Sequence, residues 1–178
     1  MKECSTEAPK YPVGPAQVED KVDAPRREEL ITQIEQAPAL MRKAVAGLSD
    51  EQLGTVYKNW TIRQIASHLA DSHVHSYIRF KWALTEDKPL IKAYDENLWS
   101  DLADAKTGHL EPTLLLLEGI HQKWVRLLRL MTDDQYLRAF NHPDGRTIPL
   151  SRALGIYAWH GRHHTGQILW LRAQKGWA

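Results

Sequence analysis

Cysteine is almost absent from this chain, and it also lacks long apolar runs and an excess of charge of one sign. Cys4 is the single cysteine among 178 residues, which excludes an internal disulfide and favours a reducing, cytoplasmic compartment. Apolar runs such as Leu114–Leu117 are far too short to cross a membrane, and no apolar run follows a basic start, so neither a membrane anchor nor a signal peptide is expected. With 23 basic and 22 acidic residues, the net charge of +1 offers nothing to attract nucleic acid or an anionic membrane.

Phenylalanine is scarce too, with two residues, whereas the seven tryptophans and nine histidines stand out. Hydrophobic residues make up 43% and charged residues 25% of the chain, which is normal for a folded soluble protein. A chain of this length suits one domain with a sizeable core. The histidines direct attention to metal or proton chemistry, because imidazole binds metals and titrates near neutral pH.

Helical periodicity dominates the sequence and no run of alternating strands is evident, so we predict an all-α fold. Residues 1–22, with several prolines, are predicted to be an irregular tail, and residues 23–178 a single helical domain. Four helices are predicted, over about residues 26–46, 61–84, 112–131 and 150–175. Such helices suit a four-helix bundle, and the long connection over 85–111 would cross one end of it and let the second and third helices run parallel. A short helix is expected within that connection, around 98–102.

The ends of the predicted helices carry local signals. Asp23 is a candidate N-cap of the first helix, and Pro38 inside that helix predicts a kink or a break. Thr61–Gln64 has the spacing of a capping box at the start of the second helix. Two further capping boxes, Ser49–Gln52 and Thr132–Gln135, follow the first and third helices.

His160 and His164 lie four residues apart on the last predicted helix. Both side chains therefore lie on one face and can reach a single metal ion. His163 points about 100° away and should not join them. In a chain with nine histidines this spacing also arises by chance, and two imidazoles hydrogen-bonded to their neighbours would produce the same pattern. A metal site needs a third ligand from elsewhere in the bundle.

The second helix offers that third ligand as either His68 or His73. His73 lies in the middle of the apolar stripe, where a histidine is more often a hydrogen-bonded core residue than a ligand. His68 lies on the flank of the stripe and could face a neighbouring helix. Periodicity alone leaves both alternatives open. His121, in the middle of the third helix, is interpreted as structural.

Two carboxylates are candidates for proton transfer at such a site. Asp71 and Glu96 could act as general bases or support the ligands, although an exposed carboxylate or an ordinary helix cap is the more common explanation of such residues. Cys4, in the tail, is assigned no role.

Three neutral histidines leave a divalent metal with its full charge and an open coordination position. Such a site can ionise water near neutral pH, polarise a carbonyl or lower the pKa of a thiol, so it permits either hydrolysis or thiol transfer. Imidazole binds Zn²⁺, Ni²⁺, copper and iron alike, so the ligands do not select the metal.

Taken together, these motifs resemble the DinB-like superfamily, and most closely its YfiT-type metal-dependent hydrolases. The strongest stretch is 60–81, which reads WTIRQIASHLADSHVHSYIRFK. Further matches are Tyr94-Asp95-Glu96 with Trp99, FNHPD over 140–144 and ALGIYAWHGRHH over 153–164. The likeness covers nearly the whole chain, including Tyr11–Gly14 of the tail and Pro38.

The resemblance implies a four-helix bundle in up-down-down-up order, which agrees with the long connection. The family pattern places one metal ligand at the histidine of S-H-L-A-D-S-H, here His68, and two at the histidines of W-H-x-x-x-H, here His160 and His164. It also implies a homodimer that binds one Zn²⁺ or Ni²⁺ per subunit.

These observations favour a metal-dependent hydrolase in which an activated water attacks a small-molecule electrophile. One alternative is a thiol S-transferase that uses the same ion to add a low-molecular-weight thiol to an electrophile, as some DinB-like proteins do. Another is a metal-binding dimer without catalytic activity. The three histidines alone do not separate these hypotheses.

Overall fold

The computed structural model describes residues 7–177, so Cys4 lies outside the described residues. The helices are α1 (Ala24–Val45), α2 (Asp50–Leu53), α3 (Ile62–Thr85), α4 (Glu96–Ser100), α5 (Ala103–Thr107), α6 (Leu110–Leu130), α7 (Asp133–Leu137) and α8 (Leu150–Lys175). The strands are β1 (Val56–Tyr57), β2 (Trp60–Thr61), β3 (Ala139–Asn141) and β4 (Thr147–Pro149). The four long helices α1, α3, α6 and α8 form a four-helix bundle, so the predicted fold class is confirmed. Within residues 7–177, none of the helices is both long and apolar enough to span a membrane.

The bundle has the up-down-down-up order. Contacts between the ends of the helices fix their relative directions. α1 and α8 run parallel, α6 runs antiparallel to α1, and α3 runs parallel to α6. The directions of α1 and α8 follow from the contacts Asp20–Arg152 and Ala44–Arg172. Those of α1 and α6 follow from Arg42–Glu111 and Glu35–Arg129, and those of α3 and α6 from Arg63–Gly108 and Phe80–Trp124. Because α3 and α6 are parallel, the segment between them runs the length of the bundle, rather than across one end as expected, and its helices α4 and α5 lie against α3.

Local capping chemistry sets the helix starts as predicted. Asp23 accepts a hydrogen bond from the backbone of Arg26 at the start of α1. The capping box of Thr61–Gln64 opens α3, and the boxes of Ser49–Gln52 and Thr132–Gln135 open the short helices α2 and α7. Two antiparallel ribbons, β1–β2 and β3–β4, have strands of two or three residues, too short for an alternating pattern to reveal them.

The apolar core is divided into two clusters by a polar layer halfway along the bundle. Each long helix contributes buried apolar residues to both clusters: 30–34 and 41–45 of α1, 80–83 and 62–70 of α3, 124–128 and 114–117 of α6, and 150–158 and 168–171 of α8. Between the two groups lie Pro38, His73, His121 and the pair His160 and His164. The fold therefore brings at least one polar or helix-interrupting position from every long helix to the same level, where His68 of α3 also reaches His160.

Residues 7–22 have no regular secondary structure and lie along α8. The indole of Trp159 donates a hydrogen bond to the carbonyl of Gly14 at 2.9 Å. Gly166 allows the tail to approach closely, since a Cβ there would lie 2.8 Å from Val13 Cγ1. The boundary between tail and domain at residue 22 remains a prediction.

Candidate metal centre

Three histidine side chains meet in the polar layer, one from α3 and two from α8. His68, His160 and His164 each present a ring nitrogen, and these nitrogens all lie within 4.8 Å of one another. The Nε2 atom of His160 is 3.3 Å from Nε2 of His68 and 3.0 Å from Nε2 of His164. His68 and His164 are buried, whereas His160 is half-buried. We refer to these three residues as the histidine cluster.

The other ring nitrogen of His164 is held by Gln167, one turn further along α8. The Nδ1 atom of His164 lies 2.8 Å from the amide oxygen of Gln167, which can only accept, so His164 carries its proton on Nδ1. The amide nitrogen of Gln167 lies 3.2 Å from Nε2 of His163. His163 packs against Trp159 with ring centroids 4.4 Å apart and lies outside the cluster, as its position on the helix predicts.

The other ring nitrogen of His160 contacts His73. The Nδ1 atom of His160 is 3.2 Å from Nε2 of His73, whose Nδ1 is 2.8 Å from Nε2 of His121. The Nδ1 atom of His121 is in turn 2.6 Å from the backbone carbonyl oxygen of Ile34 in α1. His73 and His121 are both buried. The geometry therefore places His68 in the cluster and His73 behind it.

Burial keeps the cluster uncharged at neutral pH. It lowers the pKa of His68 to about 4, with a further contribution from nearby His163. Burial, together with the neighbouring histidines, holds the pKa of His160 and of His164 well below the ordinary value. Neutral imidazoles are the form that binds a metal, because each keeps one nitrogen lone pair.

The spacing of the nitrogens suits a metal ion. At a tetrahedral centre with metal–nitrogen bonds of about 2.0–2.1 Å, ligand nitrogens lie about 3.3–3.4 Å apart. The separations of 3.0 and 3.3 Å from His160 are close to that spacing. Because His164 carries its proton on Nδ1, its Nε2 lone pair faces Nε2 of His160, and a cation between the two atoms would be stabilised there.

Aromatic side chains enclose the cluster. The ring of Trp60 lies 4.5 Å from that of His68, and the ring of Tyr157 lies 5.8 Å from that of His160. The hydroxyl of Tyr157 accepts a hydrogen bond of 3.1 Å from Nη1 of Arg79. The Nε atom of Arg79 is buried without a hydrogen-bond partner in the described part of the chain.

The two predicted carboxylates have different surroundings. Asp71 is half-buried on α3, one turn after His68, and burial together with the charge of Asp104 raises its pKa to about 6. Tyr94, in the segment between α3 and α6, lies near Asp71 and stacks on His75 with ring centroids 4.4 Å apart. Burial raises the pKa of Tyr94 to about 12. Glu96 is exposed in the first turn of α4, where a negative charge stabilises the helix N-terminus. The catalytic roles of Asp71 and Glu96 remain predictions.

Sequence reasoning missed one supporting residue, kept His73 open as an alternative third ligand and interpreted His121 as structural. Gln167 was overlooked, although its position three residues after His164 on a helix could have drawn attention to it. His73 and His121 come from different helices, so their contact depends on the tertiary fold. The remaining histidines lie elsewhere: His109 is exposed at the start of α6, and His142 pairs with Asp144 at 2.9 Å between β3 and β4.

Comparisons with known proteins agree with this architecture. A family model described as the DinB superfamily matches residues 33–168. YfiT of Bacillus subtilis strain 168 is 43% identical over 171 residues, which cover 94% of this chain and 96% of YfiT. The structure of YfiT, described as a probable metal-dependent hydrolase with an unusual four-helix bundle topology, matches with a TM-score of 0.92 over 94% of this chain and 98% of that one.

Two further matches extend the comparison. A protein of Geobacillus thermodenitrificans strain NG80-2, whose name likewise gives metal-dependent hydrolase as a probable activity, is 44% identical over 172 residues, or 94% of this chain and 96% of that protein. The mycothiol-dependent maleylpyruvate isomerase is 19% identical, with a TM-score of 0.63 over 78% of this chain and 59% of the isomerase, and shares the fold alone.

Proposed function

The chain belongs to the DinB superfamily, and from that premise we propose that it is a metal-dependent hydrolase whose ion is held by His68, His160 and His164. Zn²⁺ is the proposed metal, with Ni²⁺ as the alternative, because three imidazoles suit both. The 43% identity to YfiT, described as a probable hydrolase of this kind, supports the reaction class.

One observation carries the proposal. The Nε2 atoms of His160 and His164 face each other at 3.0 Å although both rings have Nδ1 engaged with another residue. A shared proton is disfavoured there, because burial lowers the pKa of both imidazoles. A divalent cation between the rings would satisfy both lone pairs at once, with His68 as the third residue to hold it.

A divalent cation on three neutral ligands would supply Lewis acidity, lowering the pKa of water and polarising a carbonyl of the substrate. The surrounding residues contribute the rest. Asp71 is proposed to take up the proton released during attack, since a pKa of about 6 suits a general base near neutral pH. Glu96 is the second candidate for this role. Trp60 and Tyr157 pack against ligand rings and limit their movement.

The test begins with elemental analysis of protein purified without a histidine tag. We expect close to one zinc or nickel per chain, and loss of both metal and hydrolysis of a panel of small esters, amides and lactones in His160→Ala. His142→Ala is the matched control, because His142 lies between β3 and β4 and pairs with Asp144. Turnover that persists without metal would reject the proposal.

The same assay separates the alternatives. Adding a low-molecular-weight thiol with a fluorogenic electrophile would reveal thiol transfer if a conjugate forms only when metal is present. Bound metal without turnover of any substrate would instead favour a metal-binding protein without catalytic activity.

We further propose a cytoplasmic homodimer with one ion per subunit, acting on a small molecule and not on nucleic acid or a membrane. Light scattering of the purified protein tests the dimer.

A further inference from the structure

A line of hydrogen-bonded groups leads from the histidine cluster through the core to a backbone carbonyl of α1. It starts at His160 in α8, passes through His73 in α3 and His121 in α6, and ends at the carbonyl of Ile34 in α1. The successive distances are 3.2, 2.8 and 2.6 Å, all within hydrogen-bonding range. The ring planes are close to parallel, at 26° for His160 and His73 and 12° for His73 and His121. All four long helices of the bundle thus contribute one group.

Pro38 explains why a helical carbonyl is available at the end of this line. In an α-helix the carbonyl of residue 34 accepts a hydrogen bond from the N–H of residue 38. Residue 38 is a proline, which has no N–H, so the carbonyl of Ile34 lacks its partner within α1. His121 supplies the missing donor, and the buried carbonyl is satisfied across the helix interface.

The carbonyl also fixes the direction of every hydrogen bond in the line. A carbonyl oxygen can only accept, so the proton of His121 must be on Nδ1, and its Nε2 must accept. His73 then donates from Nδ1 to His121 and accepts at Nε2. His160 must therefore donate from Nδ1 to His73, which leaves the Nε2 lone pair of His160 free to face His68 and His164.

We propose that His73 and His121 are positioning residues, which, with the carbonyl freed by Pro38, hold His160 in the tautomer and orientation that present its Nε2 to a metal ion. The inference deepens the proposed metal site. A metal-binding histidine is commonly oriented by a hydrogen-bond acceptor on its other nitrogen. Here that acceptor is a second histidine, whose own tautomer is set by a third.

Long-range ¹⁵N–¹H NMR spectra of the full-length protein at pH 7.5 test the proton positions directly. In metal-free protein we expect His160, His73 and His121 each to carry their proton on Nδ1, and addition of Zn²⁺ should leave His73 and His121 in the same tautomer. A proton on Nε2 of His73 or His121 would overturn the inference. Because this spectrum is recorded before metal is added, it decides the inference even if the protein proves not to bind a metal or not to be a hydrolase.

Zinc affinity, measured by competition with a chelator, tests the consequence. We expect His73→Phe to weaken Zn²⁺ binding by about 10- to 100-fold, the range typical for loss of a group that orients a ligand. His73→Gln retains an amide oxygen to accept from His160 and an amide nitrogen to donate to His121, so it should recover much of that loss. His75→Phe is the matched control, because His75 lies on the same helix but stacks on Tyr94.

Pro38→Ala tests the far end of the line without changing a histidine. Alanine restores the N–H at residue 38, which competes with His121 for the carbonyl of Ile34. We expect a weakening of Zn²⁺ binding of a few-fold and a shifted His121 Nδ1–H resonance. Unchanged zinc affinity in both His73→Phe and Pro38→Ala, with folded protein confirmed by circular dichroism, would overturn the inference.

Discussion

Gly161 lies beside the histidine cluster at a close contact between α1 and α8, and replacing it with alanine should destabilise the protein. A Cβ at this position would lie 2.9 Å from the Cβ of Ala37 and 3.8 Å from Cε1 of His73. The Ala37 atom is fixed to the backbone of α1, so the two helices must move apart to relieve the clash. Glycine to alanine favours an exposed helix by about 1 kcal/mol, whereas overpacking a core costs about 1–3 kcal/mol. We therefore expect Gly161→Ala to lower the free energy of unfolding by about 1 kcal/mol.

Gly119 provides the control for this prediction. It lies on the exposed side of α6, and a Cβ added there would have no other atom within 4 Å, so Gly119→Ala should stabilise the protein by about 1 kcal/mol through helix propensity alone. Both variants are compared by urea unfolding of metal-free protein, followed by circular dichroism. In a double-mutant cycle, Ala37→Gly should reduce the destabilisation caused by Gly161→Ala. Equal stabilisation by both alanines would refute the close approach of the two helices.

Two further predictions concern Asp71 and Gln167. The pKa of Asp71 is raised to about 6 in the folded protein, so its charged form destabilises the fold as the pH rises through that value. Asp71→Asn should therefore raise the free energy of unfolding by about 1 kcal/mol at pH 8, a figure that allows for solvent screening. At pH 4 the same substitution should have little effect. Urea titrations at the two pH values check this, and an equal effect at both would contradict it. Gln167→Leu should weaken Zn²⁺ binding by about 10- to 100-fold, because Nδ1 of His164 loses its acceptor. Gln122→Leu, on the exposed side of α6, is the control and should leave Zn²⁺ binding unchanged. Equal affinities of the two variants in a chelator competition would argue against a role of Gln167 in orienting His164.

Local sequence signals predicted the parts of the fold that depend on local chemistry. The capping box at Thr61–Gln64 and the N-cap at Asp23 mark helix starts because the bonded groups lie within three residues of each other. A kink or a break was predicted at Pro38: the break does not occur, since α1 continues from residue 24 to residue 45, and the kink stays a prediction. The lost hydrogen bond is replaced by His121, a partner that only the tertiary fold supplies. The crossing segment holds two short helices, α4 and α5, where one was expected, because packing against α3 and not periodicity sets such short elements.

The sequence predicted the part of the candidate site that lies on one helix, but not which residue of a second helix joins it. Helical spacing identified His160 and His164, but left His68 and His73 as alternatives, because both lie on α3 and periodicity does not specify which neighbouring helix each one faces. The resemblance to known proteins favoured His68, and the structure places that residue beside the pair. His73 proves to be what a core histidine usually is, a buried group with hydrogen bonds at both nitrogens.

The division of the core into two apolar clusters shows what the site requires of the fold. A continuous apolar core would bury more hydrophobic surface, yet the polar layer interrupts it on all four long helices. A buried polar atom without a partner costs about 1–3 kcal/mol, so such a layer is tolerable only if its members satisfy one another. His73 and His121 do so through the carbonyl of Ile34, and the resulting tautomers leave the Nε2 lone pairs of His160 and His164 facing each other. Among the described residues that form this line, each hydrogen bond has a donor and an acceptor up to the Nε2 atom of His160, where a cation would bind. The supporting hydrogen bonds and the proposed metal site are therefore best understood as a single structural unit.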